Sequence, residues 1–187
     1  WNIYGLGTKI IKLVKDKKVT MPEDGQTAEW FLKTHEIMES YGYNSYEISN
    51  FSKPKMECQH NLHYWRIHPY LAFGPSAHGF DGQNRWNNSR SLDHYLQQIE
   101  SNKSPVSMKE TLTQKDLLNE MIGFGLRMKE GINLSKIPEK FKNQFSGNLI
   151  VAEKKWEGCF IQTEKSISLT KTGMVYGDAI GVDLMVA

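Results

Sequence analysis

Around residues 101–107, a short polar stretch containing Pro105, the periodicity of the chain changes character. This change constrains the fold more than any other feature. The clearest helix signal follows it. Thr113-Gln114-Lys115-Asp116 forms a capping box, in which a hydroxyl and a carboxylate three residues apart satisfy each other's backbone N–H groups. Leu117, Leu118, Met121, Ile122, Phe124 and Met128 then recur at helical spacing up to Gly131. Shorter helices are predicted around residues 134–141 and 149–157. A hairpin has its strands at 160–162 and 167–169 and its polar tip at Thr163-Glu164-Lys165, and a last helix spans 170–185. Helices with one hairpin give the outline of a winged-helix-like module over residues 108–187.

Residues 1–107 read differently. Residues 2–6 predict a strand, and Gly7-Thr8 opens a helix with Ile10, Ile11 and Val14 on one side, ended by charge at 15–18. A turn at Met21-Pro22 leads to a helix over 26–41 that carries Ala28, Phe31, Leu32, His35 and Met38 on one face and stops at Gly42. His35 on that face reads as a packed core histidine rather than a ligand. Residues 43–51 (YNSYEISNF) predict a strand broken by residues 52–55, and a further strand at 70–73 runs into Gly74-Pro75-Ser76-Ala77-His78-Gly79. Ser91 caps a helix reaching Glu100. Helices alternating with strands predict a parallel α/β layer, so the fold class is α/β with a helical satellite.

Composition removes several function classes. The chain has 187 residues, 39% hydrophobic, 24% charged and 11% aromatic, with a net charge of +2, which excludes a disordered tail. No apolar run approaches the roughly 20 residues of a spanning helix. Cys58 and Cys159 stand outside any CxxC pair, so neither a disulfide scaffold nor a cysteine-rich metal site can be built. A reducing, cytoplasmic setting is the expectation. The opening at Trp1, in sequence that already reads as structured, suggests a piece of a longer protein.

The densest polar-aromatic cluster is Cys58-Gln59-His60-Asn61-Leu62-His63-Tyr64-Trp65-Arg66-Ile67-His68. It admits three readings. Zinc would use its sulfur and nitrogen donors, although Cys-x-His-x-x-His matches no familiar structural spacing. A porphyrin face would use Tyr64 and Trp65 as walls, an imidazole toward the iron and Arg66 toward the propionates. A plain loop would pack its aromatics on the sheet and turn its histidines to water, and on spacing alone this reading is preferred. The segment Gly74–His78 is small enough for close backbone approach to a ligand, but no phosphate-loop pattern is present. Glu47, the one acid inside a predicted strand, is expected to be buried in a structural ion pair. No catalytic residue is assigned. Lysines and arginines of the satellite are interleaved with acids, so no nucleic acid is expected.

Taken together, Tyr46-Glu47-Ile48-Ser49-Asn50-Phe51, Cys58-x-His60-Asn61-x-x-Tyr64-Trp65, Tyr70-Leu71-x-x-Gly74-Pro75-Ser76-Ala77-His78, Arg85-x-x-Asn88 and Gly125-Leu126-Arg127 with Gly131-Ile132 resemble the later half of the HemW-type proteins. These are radical SAM relatives of the oxygen-independent coproporphyrinogen III oxidase HemN. The resemblance implies the C-terminal part of a partial (β/α) radical SAM barrel over residues 1–107. A small helical, winged-helix-like HemN-type C-terminal domain then fills 108–187. It implies heme as the ligand, with contacts from His60, Asn61, Tyr64 and Trp65 and with His60 at the iron. It sets Gly74, Ser76 and His78 on the S-adenosylmethionine (SAM) side, and it implies a [4Fe-4S] cluster and SAM in the intact parent only. The function implied is a heme chaperone or carrier that delivers heme to acceptor proteins. The alternatives are an oxygen-independent coproporphyrinogen III oxidase, which decarboxylates two propionates by radical hydrogen abstraction, and, without family input, a winged-helix binding module. Two departures stand out: no CxxxCxxC occurs, and Gly5-Leu6-Gly7-Thr8 stands where the family has Glu-x-Gly-Thr. Part of a barrel leaves sheet edges unpaired, so self-association as a homo-oligomer is expected.

Overall fold

The computed structural model describes residues 9–187. The strand predicted at 2–6 and the Gly7-Thr8 helix start lie outside the described residues. The first helix, α1 (Lys9–Lys15), gives way to a turn in which Lys17 takes a φ of 55°. The second, α2 (Asp24–Ser40), ends at Gly42, whose φ of 79° suits a residue without a Cβ. His35 is buried as predicted, with Phe31 and Phe51 at centroid distances of 4.3 and 4.8 Å and its Nδ1 3.0 Å from the Phe31 carbonyl.

The strand predicted over 43–51 is instead two strands, β1 (Asn44–Glu47) and β2 (Asn50–Ser52), paired antiparallel. Glu47 causes the reversal. Its Oε1 accepts from the Ser49 N–H at 2.8 Å and from the Asn50 side-chain amide at 2.6 Å, which closes the turn locally. The polar-aromatic stretch is also not a loop, because Gln59–Trp65 forms a helix, α3. Of the strand predicted at 70–73, only a bridge between Tyr70 and Phe80 forms. The strands of this region are β3 (His78–Phe80), β4 (Asn84–Asn88) and β5 (Val106–Thr111), in the order β3-β4-β5. Between β4 and β5 lies α4 (Leu92–Glu100), capped by Ser91, whose hydroxyl accepts from the His94 N–H. The residue 107/108 point falls inside β5. Every strand pairing among the described residues is antiparallel, where helix–strand alternation predicts parallel ones. The mixed α/β character stands.

The second half begins with α5 (Gln114–Arg127), where the predicted capping box is present. A short strand, β6 (Ile132–Asn133), and a 3-10 turn at Leu134–Lys136 lead to α6 (Glu139–Lys155). This single helix replaces two predicted ones. Ser146-Gly147 reads as a break, but Gly147 lies on the exposed face while Phe145, Leu149 and Ala152 are buried, and one exposed glycine costs a helix only about 1 kcal/mol. The predicted hairpin forms as β7 (Phe160–Gln162) and β8 (Ser166–Leu169), and β6 joins it in the order β6-β8-β7. The predicted last helix is two, α7 (Lys171–Val175) and α8 (Gly177–Leu184), separated at Tyr176. That bend lets α7 lie on β8 and α8 lie on α5 and α6.

The core sits in this half. Ile122, Leu126, Ile132, Phe145, Ile167, Ile180 and Leu184 are all nearly inaccessible, and each contributes roughly 1.5–3 kcal/mol of apolar burial. Gly131, at φ 73°, lets the chain pass against β8, where a Cβ would overlap the Ile167 carbonyl. The two halves are joined by backbone as well as side chains. Ile48 N–H donates to the Arg127 carbonyl at 2.9 Å, and Lys129 N–H donates to the Tyr46 carbonyl at 3.1 Å.

Candidate functional site

Helix α3 carries the four residues that sequence reading assigns to heme, and it divides them by face. Asn61 and Trp65 are four apart and turn inward with the buried Leu62. The Asn61 amide donates to the Tyr46 hydroxyl at 3.4 Å. The Trp65 ring stands edge-on to Phe124 of α5 at 5.6 Å, with the Arg127 guanidinium over it at 5.0 Å. His60 and Tyr64, also four apart, face outward with their rings 4.9 Å apart and edge-on. Tyr64 in turn meets Tyr70 at 4.7 Å, and Tyr70 meets Phe80 at 6.1 Å. The outer face is therefore an aromatic ladder with an exposed imidazole at one end.

The three histidines of this segment are not equivalent. His63 Nε2 lies 2.7 Å from the Pro69 carbonyl, which fixes that nitrogen as the N–H donor, and its ring is 5.1 Å from His68. Among the described residues the His60 ring has no hydrogen-bond partner, and its side chain is exposed. Arg66 is already engaged, since its guanidinium donates to Glu130 at 2.8 and 3.2 Å and its pKa is raised by that carboxylate. It does not stand free for a propionate, as the porphyrin reading of the sequence has it. Zinc gains nothing from the fold: among the described residues no three His, Cys, Asp or Glu side chains converge on a point that could hold a metal ion.

The segment 74–78 is a built turn. Gly74 has a φ of 93° and Ser76 one of 59°. Buried Asn88 donates from its amide to the Gly74 carbonyl at 2.9 Å and the Ala72 carbonyl at 3.3 Å, while its own N–H donates to Ala77 at 2.8 Å. The Gly74 N–H donates to the Tyr95 hydroxyl at 3.2 Å, and the Ser76 N–H to the Ser89 carbonyl at 2.9 Å. His78 opens β3 with its side chain exposed. Leu71 and Phe73, just before the turn, project into solvent at 70% and 81% exposure. Glu47 is buried as expected, with its Oε2 3.9 Å from Arg127. Sequence reading missed the supporting roles of Asn88, Tyr95 and Arg127. Asn88 and Arg127 gave a signal only as members of the motifs Arg85-x-x-Asn88 and Gly125-Leu126-Arg127, and Tyr95 gave none.

Against known proteins, the model of the HemN C-terminal domain matches residues 112–176. Those residues are similar to a HemN C-terminal domain. The heme chaperone HemW of Bacillus subtilis (strain 168) is 29% identical over 186 residues, which is 96% of this chain and 49% of that protein. The mitochondrial radical S-adenosyl methionine domain-containing protein 1 of Danio rerio is 34% identical over 134 residues, 67% of this chain and 30% of its own length. The HemW of Escherichia coli (strain K12) is 41% identical over 76 residues, 41% of this chain and 20% of its own length. The chain thus spans about half the length of the Bacillus relative, and nearly the whole of it is similar to that protein. Among solved structures, coproporphyrinogen III oxidase (HemN) from Escherichia coli, described as a radical SAM enzyme, matches with a TM-score of 0.67 over 88% of this chain and 42% of that one. At 19% identity this match carries the fold alone. The matched residues contribute α5, the β6-β8-β7 sheet and most of the surface on which α3 rests, through Phe124 and Arg127. Among the described residues no helix is long and apolar enough to cross a membrane.

Proposed function

We propose that this chain is the heme-binding part of a heme chaperone that passes heme to acceptor proteins. The observation that carries the reading is the division of α3, in which the inner pair Asn61 and Trp65 anchors the helix and the outer pair His60 and Tyr64 is presented to a ligand. A heme needs an imidazole for its iron and aromatic or apolar surface for its ring. The outer face supplies both, with His60 for the iron and Tyr64 and Tyr70 beside it. Heme, when bound, would supply an iron centre that an imidazole can ligate. Tyr64 and Tyr70 would hold the ring, and the exposed imidazole of His60 would reach the metal.

The chain's own residues do not fit a [4Fe-4S] cluster, because it has two cysteines, Cys58 and Cys159, of which the second is buried. The cluster and SAM are assigned to the rest of an intact protein. There the turn at Gly74, Ser76 and His78 borders the SAM side, and the 1–107 and 108–187 portions are its two domains. A cytoplasmic setting, and self-association through open strand edges, complete the reading. The test loads the full-length protein with heme and then adds an apo-acceptor. Transfer of the Soret band to the acceptor, with no vinyl product formed from coproporphyrinogen, is the expected result. Robust vinyl formation instead would replace the chaperone with the oxidase.

A further inference from the structure

The side chain of Arg127, the last residue of α5, makes no hydrogen bond among the described residues. Its Nη2 stands 3.9 Å from Oε2 of the fully buried Glu47, its Nη1 stands 3.6 Å from Oδ1 of Asp178, and its buried Nε has no partner. What the guanidinium does contact is Trp65, whose ring centroid lies 5.0 Å beneath it. The same residue's carbonyl accepts the Ile48 N–H at 2.9 Å, so its backbone is held while its head group is left to stack. A planar, weakly hydrated cation over an indole is attracted by the ring's quadrupole, and lysine does not reproduce that stack.

Trp65 is the inner residue of the helix whose outer face carries His60 and Tyr64. One turn of helix separates Trp65 from Asn61, whose side-chain tie among the described residues is the long 3.4 Å bond to Tyr46. The inner face of α3 is held by the buried Leu62 and, at its C-terminal end, by Phe124 and Arg127 against Trp65. We propose that Arg127 is the positioning residue of the heme-facing helix, so that the HemN C-terminal domain sets the orientation of His60 and Tyr64 through the stack on Trp65. This rests on the heme reading above. Neutralising Glu47 is not the role assigned, since at 3.9 Å a lysine would do that as well.

The experiment titrates heme into the full-length wild-type protein, Arg127→Lys, Trp65→Leu and the double variant. Each titration follows the Soret band and the electron paramagnetic resonance of the ferric iron. Arg127→Lys should weaken heme binding by about five- to tenfold, the scale of a partly buried cation–π contact. It should also alter the axial-ligand signature while the thermal transition stays in place. In the Trp65→Leu background the same substitution should cost nothing further. An Arg127→Lys protein with wild-type affinity and wild-type spectra overturns the inference and leaves the heme reading intact, and so does full additivity with Trp65→Leu. If Arg127→Lys does not fold, Arg127→Gln, planar but uncharged, carries the same expectation and the same refutation. A wild-type protein that takes up no heme overturns both.

Discussion

Asp81 shows how much a single exposed side chain can organise near the site. Its carboxylate accepts from the Asn84 N–H at 2.6 Å, the Asn84 amide at 2.9 Å and the Gln83 N–H at 2.9 Å, which closes the turn between β3 and β4 around Gly82. These bonds favour the ionised form and hold its pKa at about 2, below the ordinary 3.8. Because the folded value is depressed, the stabilising contribution is complete above about pH 4, and it is lost as the pH falls through the folded value near 2. A side-chain carboxyl titration by NMR should therefore find the Asp81 midpoint near 2, and a midpoint at the ordinary value would mean that the turn is open in solution. His35 and Glu47 were legible in the sequence as buried polar groups, since each interrupts an apolar pattern at a position that pattern turns inward. That His63 is tied while His60 and His68 carry no side-chain hydrogen bond among the described residues was not legible. The difference depends on the Pro69 carbonyl reaching His63, which no spacing encodes.

Elements were legible where their signals are local. The α5 capping box is one: the Thr113 hydroxyl accepts from the Asp116 N–H at 3.2 Å, and the Thr113 N–H donates to the Asp116 carboxylate at 2.8 Å. Thr113→Ala should cost about 1 kcal/mol, seen as a lower midpoint in urea with an unchanged slope. No change would mean that the box is redundant with the packing of Leu118 and Ile122. The Ser91 cap and the β7–β8 hairpin were legible for the same reason. Helix α3 was not, because its inward residues are asparagine, leucine and tryptophan and its outward ones are histidine and tyrosine, a mixture without apolar period. Strand β4, Asn84–Asn88, was hidden likewise, since NRWNN shows no alternation and is held by pairing with β3 and β5. The parallel layer predicted from helix–strand alternation does not appear, because the strands of the first half return by tight turns onto their neighbours.

At the scale of the molecule, the first half supplies exposed groups and the second supplies the rigid body. Most buried apolar side chains belong to α5, α6, α8 and the β6-β8-β7 sheet, and α3 leans on that body through Trp65. A ligand face mounted this way keeps its geometry through the packing of α3 on that body, which suits the proposed heme chaperone. The division of labour also explains why the motif residues do not form one cluster: Asn61 and Trp65 serve the joint, and His60 and Tyr64 serve the surface. Their separate roles make the histidines the sharpest probe. Heme titrated into the full-length protein, its His60→Ala variant and its His63→Ala variant should give a saturable Soret band for the wild type and for His63→Ala, and loss of that band for His60→Ala. Equal binding by wild type and His60→Ala, or loss confined to His63→Ala, would contradict the account.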